Sequence, residues 1–170
     1  MKKLQIILLF AALVFTYSCS DNSTDNDDPP VNETGTIELI ATDGLVIDAL
    51  GTETEISYHT QIKSSSTRDM KVLAKMEVIE LADDHWTYFC WGDISTGEGT
   101  CYEATKDDFL ATFTLDLEAG QTTDPNSFIN YIKNDVNANN TSQIRYIVYE
   151  EGNEANADTL EYTINVQFTF

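Results

Sequence analysis

From about Thr36 onward, apolar residues recur at every second position. That is the period of a strand with one buried face, not the 3.6 of a helix. The last stretch shows it most clearly. Leu160, Tyr162, Ile164, Val166, Phe168 and Phe170 point one way, and Thr159, Glu161, Thr163, Asn165, Gln167 and Thr169 the other. Ile144, Tyr146 and Val148 open a second strand, and Phe109, Ala111, Phe113, Leu115 and Leu117 alternate across a third. Val72, Ala74, Met76 and Val78 form a fourth, and Trp86 to Cys90 a fifth. Shorter pieces fall at 37–41, 45–50 and 55–58, separated by turn signals such as Asp43-Gly44, Gly97-Glu98-Gly99 and Ala119-Gly120. One segment departs from this pattern. Asp124 and Pro125 read as a cap and first helical residue, and Phe128, Ile129, Tyr131, Ile132 and Val136 follow at helical spacing, so a short helix is predicted over 124–136. Seven to eight strands, each with one buried face, predict an all-β chain folded as an immunoglobulin-like β-sandwich over 36–170, with that helix inserted. An open barrel is the alternative.

The first eighteen residues follow a different rule. Lys2 and Lys3 precede an apolar stretch of about a dozen residues from Leu4 to Phe15, interrupted only by Gln5. This is the layout of a secretory signal, and the run is shorter than the about 20 residues that a membrane span needs. Thr16-Tyr17-Ser18-Cys19 then resembles a bacterial lipobox, of the relaxed form common among Bacteroidota lipoproteins. The resemblance implies cleavage after residue 18 and acylation of Cys19; a non-lipidated signal cleaved nearby is the alternative. Residues 19–35 carry five acids and no base. Such a segment cannot bury enough surface to offset its ordering entropy, so it is expected to be a disordered tether. Ser20-Asp21 followed by further acids resembles the export signal of Bacteroidota lipoproteins displayed at the cell surface. The expected location is therefore the outer membrane, lipid-anchored and surface-exposed, with the periplasmic face as the other option.

Charge narrows the partners. The chain carries 29 acids against nine bases, a net charge of −20, and all of the acids lie beyond the signal. Phosphate backbones and anionic lipid surfaces repel such a domain, so nucleic-acid binding is excluded and the membrane is reached only through the anchor. The spacing of Asp21, Asp25, Asp27 and Asp28 lacks the glycine and terminal glutamate of an EF-hand.

With Cys19 assigned to the anchor, Cys90 and Cys101 remain. In an exported protein they read as a disulfide, closing a loop of about a dozen residues and contributing roughly 3 kcal/mol. A metal pair is the alternative, but two thiols without a neighbouring histidine do not complete a zinc site. Phe89-Cys90-Trp91-Gly92, Cys101-Tyr102, Gly120 and Ile144-Arg145-Tyr146 together resemble an immunoglobulin-like module of exported Bacteroidota proteins. In that module a Phe-Cys-Trp-Gly strand end is linked to a Cys-Tyr nearby. The resemblance spans roughly residues 72–170. It implies a sandwich and the same cysteine link, and it brings no catalytic residues.

Few residues of the chain carry the marks of a reaction. His59 and His85 are the two histidines, and neither Ser57 nor Ser95 sits in a nucleophile elbow. There is no phosphate loop and no HExxH. No catalytic residue, metal ligand or cofactor is assigned. Trp91 and Tyr102 are the candidates for a binding surface, as a sugar platform or a protein hot spot; packing against the sheet is the competing reading. The expected function is a non-catalytic binding or structural module with an unknown protein or glycan partner. Two alternatives stand beside it: an accessory subunit of an outer-membrane nutrient-uptake or secretion assembly, and a small extracytoplasmic hydrolase.

Overall fold

The computed structural model describes residues 36–50, 55–83, 85–93, 97–125, 127–133 and 140–167. The expectations for the signal at 1–18, for Cys19 and for the tether at 19–35 lie outside the described residues, as do Phe168 and Phe170. Among the described residues eleven strands are present: β1 (Ile37–Ala41), β2 (Val46–Leu50), β3 (Glu55–Ser64), β4 (Met70–Glu80), β5 (His85–Trp91), β6 (Thr100–Cys101), β7 (Phe109–Leu110), β8 (Leu115–Leu117), β9 (Ser127–Lys133), β10 (Asn140–Glu150) and β11 (Asn153–Gln167).

They form two sheets. One runs β1-β3-β9-β5-β6; the other runs β2-β11-β10-β4-β7, with β8 also on β4. Seven of the strands reproduce the immunoglobulin arrangement, four in one sheet (β1-β3-β9-β5) and three in the other (β4-β10-β11). The remaining four are short additions of five residues or fewer. The ladders are antiparallel except for β2, which runs parallel to β11.

Alternation set the buried faces. Tyr162, Ile164 and Val166 are buried on β11, as are Ile144, Tyr146 and Val148 on β10 and Val72, Ala74 and Met76 on β4. Tyr58 and Ile62 from β3 and Phe89 from β5 meet them from the facing sheet. The Tyr58 and Tyr162 rings stack at 5.5 Å, and Phe89 meets Tyr146 edge-on at 6.2 Å. Each of these large side chains contributes about 1.5–3 kcal/mol on burial. The polar tip of Tyr162 does not go unanswered, because its hydroxyl pairs with Thr60 Oγ1 at 2.8 Å. Burial pushes its pKa above the ordinary tyrosine value.

Three expectations are corrected. The predicted helix over 124–136 is a strand from Ser127 to Lys133, hydrogen-bonded between β3 and β5. Apolar residues at 128, 129, 131 and 132 satisfy a helical and a two-sided strand pattern equally. A helix there would have left β3 and β5 with no strand between them, so sheet continuity overrides the local cap signal. The strand expected from Phe109 to Leu117 is two short ones, β7 and β8, parted by bends near Thr112. Among the described residues eleven strands replace the seven or eight expected.

Candidate functional site

The motif residues come together at the end of β5. Cys90 and Cys101 lie directly opposite each other in the β5–β6 ladder and are joined by a disulfide. The two glycines beside them make the loop possible. Gly92 has φ of 81°, and a Cβ on Gly99 would fall 2.6 Å from the Gly92 carbonyl carbon. Neither position has room for a side chain.

Trp91 is not a surface residue. It is fully buried, with Nε1 donating to the Phe113 carbonyl at 3.0 Å. Three successive residues, Phe89, Cys90 and Trp91, are buried. Trp91 is covered because the crossing between β7 and β8, through Phe113, closes over the end of β5. Tyr102 is half-buried. Its ring lies 4.9 Å from Phe89 and 4.6 Å from Phe109, and its hydroxyl accepts the Thr112 backbone N–H at 2.9 Å. Both candidate binding residues therefore clamp the 109–117 segment onto the sandwich. The tryptophan that reaches the surface is Trp86, half-buried under Lys106 Nζ at 4.6 Å.

The histidines also serve the fold. Asp43 accepts the His59 backbone N–H at 2.7 Å and meets its ring Nδ1 at 2.9 Å. The backbone hydrogen bond from His59 holds the Asp43 carboxyl below its usual range. His85 is buried at the start of β5.

Two acidic grooves flank β8. One, of about 570 Å³, is lined by Arg68, Lys71, Asp116, Glu118, Glu150 and Glu151. In it Arg68 Nη1 meets Glu150 Oε1 at 2.6 Å, and Asn156 Nδ2 donates to Glu150 Oε2 at 3.0 Å. Asn156 in turn accepts the Thr36 N–H at 2.9 Å, so the cluster ties the start of the domain to its last hairpin. The Arg68 guanidinium keeps the Glu150 carboxyl below its ordinary range. The second groove, of about 510 Å³, includes Asp93, Glu98, Asp116 and Asp124. Among the described residues, no group of three or more His, Cys, Asp or Glu is placed to hold a metal ion.

Sequence reading missed the sheet edges. On β1, the outward N–H of Leu39 is taken by the Asp158 carboxylate at 2.7 Å. Beyond the end of β7, the N–H of Val78 is taken by Asp108 at 2.8 Å. Acids here cap edges that other proteins cover or charge. β2 differs: among the described residues no strand pairs with its outer side, and Leu45 and Val46 stand exposed at its start. The signal was present as a five-residue strand whose one polar residue is Asp48, without lysine or proline, but which strands end a sheet is not a local property.

Compared by sequence, the chain matches no family model and no curated protein. Compared by structure, it is similar to the N-terminal domain of PorA at 12% identity, over 78% of this chain and 97% of that one, with a TM-score of 0.52. Also similar are a PapD-like domain of human CEP192, at 13% identity over 80% of this chain and 87% of that one with a TM-score of 0.42, and the secreted serine protease VesC from Vibrio cholerae, at 9% over 79% and 23% with a TM-score of 0.47. The likeness to the PorA domain is one of fold. Fold and motif geometry together define a disulfide-bonded, all-β sandwich domain of immunoglobulin-like strand order.

Proposed function

We propose that this chain is a lipid-anchored lipoprotein of the outer membrane, displayed at the cell surface, whose sandwich domain binds a protein or glycan partner without catalysing a reaction. The observation that carries the reading is the Cys90–Cys101 disulfide, because such bonds persist in oxidising, extracytoplasmic compartments. The apolar run before Cys19 supports the same placement. The residues with chemical potential support a non-catalytic role: Trp91, Tyr102, Asp43 and Glu150 each hold a piece of the fold in position. One acyl chain binds a membrane only marginally, whereas two or more, at about 0.8 kcal/mol per buried methylene, hold it persistently. A domain anchored in that way needs no membrane-binding face.

The test is the mature N-terminus. Mass mapping should find an acylated Cys19 as the first residue, and Cys19→Ala should leave the protein unprocessed or release it from the membrane fraction. A mature chain starting at any other residue overturns the anchor.

A further inference from the structure

Among the described residues, the outer side of β2 is an unpaired sheet edge. Thr163 N–H donates to the Leu45 carbonyl at 2.8 Å, which sets the phase of the parallel β2–β11 ladder. In that phase Leu45, Ile47 and Ala49 turn their backbone groups toward β11, and Val46 and Asp48 turn theirs to the open side. The side chains alternate as well: Ile47 and Ala49 face inward, while Val46, 64% exposed, and Asp48 face solvent. Leu45 and Val46 account for two of the four exposed large apolar side chains among the described residues. The capped edges at Leu39 and Val78 make this open one stand out.

We propose that this edge binds one extended segment of a basic partner protein, which adds to the sheet beside β2. Its backbone would pair with the N–H and C=O groups of Val46 and Asp48. Its apolar side chains would lie beside Leu45 and Ile47, and a lysine or arginine would sit opposite Asp48, since opposite charges across strands are favourable. Charge selects the partner: a net charge of −20 repels a second copy of this chain and attracts a basic segment. The proposal rests on reading the domain as a binding module, but it concerns one edge only. A partner held by another face would survive changes to β2, so the two readings fail separately.

The probe is a fluorescent eight-residue peptide of alternating lysine and valine, titrated into the full chain. Its partners in the test are the same peptide N-methylated on alternate amides and a glutamate–valine counterpart. Val46→Pro removes an N–H on the open side without touching the β11 ladder, a position where proline is tolerated. It should weaken binding by about tenfold and leave the unfolding midpoint in place. Asp48→Lys should weaken the basic peptide and strengthen the acidic one. In hydrogen exchange, the Val46 and Asp48 amides of the unsubstituted chain should slow when the basic peptide is bound. Equal binding of the N-methylated peptide, or undiminished binding by Val46→Pro, would reduce the effect to general charge attraction and overturn the proposal. So would absence of binding, or a dimer in which these amides are already protected.

Discussion

Glu150 shows how one side chain couples charge to stability. Its side chain is 9% exposed, and its carboxyl is held by Arg68, Asn156 and Asn153. The Arg68 guanidinium contributes most to lowering its pKa from the ordinary value of 4.5. The folded state therefore binds that proton less readily than the unfolded chain does. The resulting stabilisation is fully present above the unfolded value and is lost as pH falls through the lower folded value. Half the pair faces water, since the Arg68 side chain is 52% exposed, so solvent screening limits the gain. Thermal melts across the acid range should show Glu150→Gln less stable than the parent at neutral pH. The variant should also lose less on acidification. Parallel acid limbs for the two proteins would show that the pair contributes nothing.

At the scale of the element, β11 is the clearest test of register. It lies between β10 and β2 and pairs with both. Ile164 is fully buried while Thr163 is half-buried on the opposite face. Placing a charge at the first position forces an unpaired ion into the core, a cost of several kcal/mol. At the second the charge reaches water, and surface changes of this kind stay within about 0.5 kcal/mol. Ile164→Lys should therefore abolish or severely weaken folding, and Thr163→Lys should leave the denaturation midpoint nearly unchanged. Equal effects would mean that the strand is shifted by one residue. Such a slip exchanges every inward and outward side chain.

For the whole molecule the disulfide matters most, because it fastens the β6 edge and the glycine loop to the sandwich. Its cysteines are 11 positions apart, and closing a loop of that size contributes about 3 kcal/mol. Domains of this kind are stable by roughly 5–15 kcal/mol in total. Reduction should lower the melting temperature by roughly 10 °C, and Cys90→Ala/Cys101→Ala should match the reduced protein. A midpoint unmoved by reductant would show that the loop is held by its packing alone.

The amino-acid sequence by itself determined which residues of β4, β10 and β11 face inward, and the cysteine pairing was legible in it. Both follow from short-range facts: the two-residue period of a strand, and, for the cysteines, the expectation of export that the apolar N-terminal run raises. Tyr162, Ile164 and Val166 were read correctly for that reason. Only the tertiary structure decided matters that depend on distant neighbours. Residues 127–133 became β9 because β3 and β5 needed a strand between them. Trp91 was taken into the core because the segment after β7 closes over it, and Trp86 was left at the surface instead. The open side of β2 arose the same way. A strand's pattern states which of its faces is apolar, whereas its place in the sheet, centre or edge, is set by every other strand.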